Sequence, residues 1–96
     1  MSQEEQYSIP SNKCLQHCAK IAITQDKPVL LDYWTNSLDN KIVIGVRDND
    51  EKLLVKSEDE YTSPIVKIYK IDTEYIILTE NSIYIVSSKI STRKIS

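Results

Sequence analysis

The pattern of hydrophobic and polar positions changes its period once along the chain. Apolar residues between Cys14 and Ala22 recur at the three- and four-residue spacing of one helix face. Ser11 can cap such a helix, and Pro28 disfavours helical geometry in the residue before it. The pattern therefore predicts a helix that follows Ser11, extends to about Ile23 and stops before Pro28.

Beyond Pro28 the apolar residues alternate, which predicts β-strands separated by turns rich in Asp, Asn and Ser. Because most connections are short, successive strands are expected to be antiparallel neighbours. We predict an α+β domain with one N-terminal helix followed by a five- to six-stranded antiparallel meander. The predicted strands span 29–34, 42–47, 53–56, 65–71, 75–79 and 83–87.

Several predicted strands are apolar on both faces. Ile76 and Leu78, for example, alternate with Tyr75 and Ile77. An antiparallel sheet with one face in water alternates more cleanly, and one short helix cannot cover a face of six strands. The sheet is therefore expected either to curl into a partly open barrel or to be covered by a partner, with a second copy preferred.

Composition favours one sheet-rich domain. The chain has 96 residues, with six Tyr, no Phe and a single glycine, Gly45. One glycine argues against phosphate-binding loops and dinucleotide folds, which need several. We predict a flexible leader at 1–10, one α+β domain at 11–88 and a basic flexible tail at 89–96.

The net charge and the hydropathy of the chain indicate where in the cell the protein is expected. The formal net charge is −2, so the molecule as a whole is not basic. Residues 1–6 lack the basic start and apolar core of a secretion signal, and no apolar run approaches the roughly 20 residues of a membrane span. We expect an intracellular, cytoplasmic protein without membrane contact, with Cys14 and Cys18 reduced.

Cys14, His17 and Cys18 form the only cluster of soft metal ligands. Zinc normally takes four protein ligands, or three with water, and three residues of one short helix converge poorly. The expected role is structural, with no metal or other cofactor; a site shared between two chains is the alternative. A Cys–His nucleophile also needs an orienting third group, so no enzyme is predicted.

Large aromatic residues suggest an interface. Tyr33 and Trp34 end the first predicted strand on opposite faces, so one can be core and the other an interface anchor. The leading hypothesis is a non-enzymatic interaction module that acts as a homodimer. Its candidate interface residues are Tyr33, Trp34, Tyr84 and Val86.

The alternative function is that of a nucleic-acid-binding accessory protein. A helix followed by five strands is also the order of the Sm-like RNA-binding barrel, and single-strand readers combine basic grooves with aromatic stacking. The low overall basicity argues against this alternative. Its candidate residues are Lys67, Tyr69, Lys89, Arg93 and Lys94.

Three stretches resemble small proteins of giant nucleocytoplasmic DNA viruses. They are Leu30-Leu31-Asp32-Tyr33-Trp34, Glu60-Tyr61-Thr62-Ser63-Pro64-Ile65 and Thr79-Glu80-Asn81-Ser82-Ile83-Tyr84-Ile85-Val86. The resemblance covers most of 28–88 and contains no catalytic motif. It implies a protein of the infected cell's cytoplasm or of the virion, with another viral or host protein as a further partner.

Overall fold

A computed structural model describes residues 8–95 and shows an α+β architecture. Within this range eight strands form two four-stranded mixed sheets. The first sheet has the strand order β1-β7-β6-β5, and the second has the order β4-β3-β2-β8. The elements are α1 (Asn12–Gln25), β1 (Val29–Leu30), α2 (Trp34–Leu38), β2 (Val43–Val46), β3 (Lys52–Ser57), β4 (Glu60–Tyr61), β5 (Ile65–Ile71), β6 (Glu74–Thr79), β7 (Ile83–Ser87) and β8 (Ser91–Lys94).

The helix α1 begins and ends as its sequence signals indicate. The Ser11 hydroxyl accepts a hydrogen bond from the Cys14 N–H at 3.1 Å, which satisfies one of the free amides of the first turn. At the other end Asp26 adopts a left-handed conformation with φ of 54°, and its N–H donates to the Ala22 carbonyl. The predicted N-cap is confirmed, and the helix runs two residues beyond Ile23.

The prediction of a single antiparallel meander is wrong. The strands β2-β3-β4 are antiparallel neighbours, and so are β5-β6-β7, but the two runs lie in different sheets. Parallel pairs, β1 with β7 and β2 with β8, complete the sheets from distant parts of the chain. The first predicted strand also ends at Leu30, and β8 lies in the segment expected to be a tail.

The two sheets and α1 form three layers, with the first sheet in the middle. Its two faces carry separate hydrophobic clusters, one under α1 and one against the second sheet. The cluster under α1 contains Cys14, Cys18, Trp34, Ile76, Leu78, Ile83 and Ile85. The cluster between the sheets contains Tyr33, Ile42, Ile44, Leu54, Ile77, Val86 and Ile90. The chain thus covers both faces of the first sheet itself, and the two sheets do not close into a barrel.

Buried hydroxyl groups fix the points where the chain changes layer. The Ser37 hydroxyl donates to the Trp34 carbonyl at 2.6 Å and accepts from the Ser87 N–H at 2.9 Å, which ties α2 to β7. The Thr62 hydroxyl accepts from the Leu54 N–H at 3.1 Å and donates to the Ser63 carbonyl at 2.8 Å. Thr62 therefore holds the crossover between the sheets against β3.

Gly45 lets the Ile95 side chain pack closely on the second sheet. A Cβ atom at this position would lie 2.7 Å from the Ile95 Cδ1 and 2.9 Å from the Val55 Cγ2. The Ile95 N–H donates to the Val46 carbonyl at 2.9 Å, so the backbone of this segment is also held against β2. The single glycine is required for close approach of side chains and not for an unusual backbone conformation.

Replacing Gly45 with Ala should lower the free energy of unfolding by about 1–3 kcal/mol, because the added methyl overlaps two branched side chains. Urea unfolding followed by circular dichroism measures the change. In an Ile95→Ala background the same substitution should cost less, since one of the overlaps is gone. An equal cost in both backgrounds would show that Ile95 is not the cause.

Candidate interaction surface

The four predicted interface residues lie inside the layered core. Tyr33, Trp34 and Val86 are 4%, 7% and 0% exposed, and Tyr84 is half-buried. Tyr33 and Tyr84 meet between the sheets with ring centroids 5.2 Å apart, while Trp34 packs under α1. These side chains hold layers of the same chain together and offer little area to a second copy.

The same burial affects the titration of the two tyrosines. Burial, followed by the neighbouring Tyr84, Glu60 and Asp32, raises the pKa of Tyr33 to about 12. Burial, followed by the charge of Asp32, also raises the pKa of Tyr84, and a hydrogen bond with Ser82 opposes this rise. Both phenols therefore stay neutral at physiological pH and act as packing groups.

Cys14, His17 and Cys18 do not converge on a common point. The two cysteines lie on the buried face of α1, whereas the neighbouring His17 is exposed. Residues 8–95 contain no group of three or more His, Cys, Asp or Glu side chains positioned to hold a metal ion. Burial, then Glu74, Cys18 and Asp72, raises the pKa of Cys14 to about 11, and burial raises that of Cys18.

The candidate nucleic-acid residues are divided between the sheets. The Lys67 ammonium lies 5.2 Å from the centre of the Tyr69 ring on β5, at an edge of the first sheet. Arg93 and Lys94 lie on β8, at an edge of the second sheet, and Lys89 precedes that strand. The fold therefore does not combine the aromatic ring with the basic C-terminal residues in one groove.

The outer face of the second sheet carries an apolar surface that was not predicted. Tyr61 and Ile95 are 52% and 40% exposed and flank Val55. Together with Ser57 and Glu58 they line a groove of about 350 Å³, here called the outer groove. The sequence gives only a weak signal for this apolar surface, because Tyr61 is an isolated aromatic residue in an acidic connection and Ile95 is an isolated apolar residue in a basic segment.

Charges of opposite sign flank the outer groove. The order β4-β3-β2-β8 places the acidic β3–β4 turn, with Glu58 and Asp59, at one side and β8 at the other. Arg93 is paired in register with Gly45, so its side chain is on the outer face. Among residues 8–95, Glu58, Asp59 and Arg93 belong to no ion pair. These charges are available to a partner.

Neither helix in the part of the chain that the structure describes combines the length and apolarity needed to cross a bilayer.

The comparisons with known proteins find no match: no protein-family model, no curated protein and no solved structure matches this chain.

The raised pKa of Cys14 should make the protein less stable in alkali. The unfolded thiol loses its proton near its usual pKa of 9.0 and the folded thiol only near about 11, so rising pH favours the unfolded chain between these values. The free energy of unfolding should fall through this window, and Cys14→Ala should flatten the fall. Urea unfolding between about pH 8 and pH 10.5 measures both slopes. Parallel slopes for the two proteins would contradict the assignment to Cys14.

Proposed function

We propose that this protein is a non-enzymatic interaction module that acts as a homodimer through the outer face of its second sheet. The observation that carries the proposal is the outer groove, with exposed Tyr61 and Ile95 beside Val55. An exposed tyrosine in an apolar patch is typical of interface anchors, since it brings a large contact area with few rotatable bonds.

The flanking charges favour a second copy as the occupant. In a two-fold interface the same patch meets itself in the opposite orientation. Half a turn about an axis that lies in the interface and runs parallel to the strands lays the outer face of one copy on that of the other. The acidic β3–β4 side of one copy, with Glu58 and Asp59, then lies over the β8 side of the other, which carries Arg93. An apolar centre within a charged rim is the usual anatomy of such an interface.

Two features support the non-enzymatic part of the proposal. The Cys14 thiol, with its pKa raised to about 11, is protonated at neutral pH, and only the thiolate is strongly nucleophilic. His17, the one histidine, is exposed, whereas both thiols are buried, so no Cys–His pair lies open to a substrate.

The alternative function is nucleic-acid binding by the exposed Lys89, Arg93 and Lys94. Lys94 already lies 3.5 Å from the Asp48 carboxylate, which reduces the charge available to a phosphate backbone. This function predicts binding to a single-stranded oligonucleotide that weakens steeply as salt is raised. Absence of binding in low salt would exclude it.

The resemblance to proteins of giant nucleocytoplasmic DNA viruses adds a location to the proposal. It implies a location in the cytoplasm of an infected cell or in the virion, where a further viral or host protein is the proposed additional partner. Detection of the chain in purified virions by mass spectrometry tests that location.

Light scattering across a tenfold dilution should give a mass near twice 11.1 kDa for the wild-type protein. Tyr61→Ser should weaken the dimer by at least about tenfold, because it removes the proposed aromatic anchor. The matched control is Ile23→Ser, which replaces an apolar side chain that is 80% exposed on α1. A monomeric wild-type protein, or equal losses from both substitutions, would refute this interface.

Charge reversal tests the orientation of the two copies. Glu58→Arg should weaken the dimer, because it places a cation against Arg93 of the other copy. Adding Arg93→Glu should restore the wild-type affinity, since the two charges are exchanged and their attraction returns. Further weakening in the double variant would show that these edges do not meet.

A further inference from the structure

A second cavity lies where the segment before α1, with Ser8 and Ile9, meets the short helix α2 and the β5–β6 turn. Its volume is about 410 Å³, and residues of α2 and of the turn line it. Small-molecule sites commonly have volumes of about 300–1,000 Å³, with an apolar wall and a few polar groups. Trp34 and Leu38 supply the apolar wall here, and Glu74 and Lys89 supply charges of opposite sign.

Glu74 is a buried carboxylate without a cationic partner. Its side chain lines the cavity, the residue is only 6% exposed, and it belongs to no ion pair among residues 8–95. The Ser11 hydroxyl lies 3.0 Å from Oε1, and the Thr73 hydroxyl donates to Oε2 at 2.9 Å. An ionised carboxylate has about four acceptor sites, so these two contacts leave capacity for a further donor.

The environment of Glu74 explains how its charge is tolerated. Ser11 is the N-cap of α1, and the helix N-terminus favours a nearby negative charge. The single Ser11 proton is also within reach of Asp72, whose Oδ2 lies at 3.2 Å. Glu74 therefore shares this donor and gains only part of the stabilisation that a dedicated cation would give.

Lys89 lines the same cavity from the segment between β7 and β8. It is exposed and forms no ion pair with Glu74 or with any other carboxylate among residues 8–95. The backbone N–H of Lys89 donates to the Ser87 hydroxyl at 3.1 Å, which fixes the start of its side chain beside the cavity. One cavity thus presents an unpaired anion and an unpaired cation that do not neutralise each other.

We propose that this cavity binds a small zwitterion of the α-amino acid class. The ligand's ammonium group contacts Glu74, its carboxylate contacts Lys89, and an apolar side chain packs on Trp34 and Leu38. A divalent cation fits less well, since it needs several oxygen ligands and would meet the Lys89 ammonium. This binding does not depend on the proposed dimer, because the outer groove is lined by other residues.

Titration with L-leucine, followed by ¹H–¹⁵N correlation spectra, tests the site on the intact protein. Saturable shifts are expected at residues around the cavity. L-Leucinamide lacks the carboxylate and 4-methylpentanoate lacks the ammonium group, so each should bind at least about tenfold more weakly. No saturable shift at about 20 mM L-leucine would overturn the proposal, and so would equal binding of either single-charge probe.

Substitutions identify the two contacts. Glu74→Gln keeps the shape of the side chain and Lys89→Gln keeps most of its length, and each should weaken L-leucine binding at least about tenfold. Lys70→Gln, at an exposed position on β5, is the matched control and should bind like the wild type. If Glu74→Gln does not fold, the Lys89→Gln variant still tests the proposal, because Lys89 is exposed. Unchanged L-leucine binding by Lys89→Gln would overturn the proposal.

Discussion

The middle strands of the first sheet are apolar on both faces, and the rest of the fold depends on this constraint. On β6, Ile76 and Ile77 point to opposite sides and are both fully buried, as are Ile85 and Val86 on β7. Burying one such side chain is worth about 1.5–3 kcal/mol, so neither face can be left in water. The helix α1 covers one face and the second sheet covers the other, which produces three layers from one short chain.

This internal cover changes the role of the large aromatic residues. Tyrosine and tryptophan are residue types that are common at interfaces. In this chain, however, they fill the spaces between its own layers, as Tyr33, Trp34 and Tyr84 do. The proposed dimer surface is instead on the outer side of the second sheet. There the Ile95 side chain lies over Gly45 and Tyr61 is exposed, with charges of opposite sign at the two edges.

Polar side chains at the junctions position the two candidate sites. Ser11 both caps α1 and approaches Glu74, which couples the first turn of the helix to the cavity below it. Ser37 joins α2 to β7 on the far side of the same cavity. Thr62 holds the crossover that carries the chain from the second sheet back to the first, next to exposed Tyr61. The buried hydroxyl groups of Ser37 and Thr62 each donate one hydrogen bond and accept another, so they favour one arrangement of the layers.

The sequence by itself determined the elements that depend on neighbouring residues. The cap at Ser11, the helix with its buried cysteines, and the bounds of β5 and β7 follow from local periodicity and capping. Tertiary structure alone decided the division into two sheets, the parallel pairs with β1 and β8, and the cavity beside Glu74. Alternation shows that a strand has two apolar faces but does not identify what covers them, because that choice depends on contacts between residues distant in the chain.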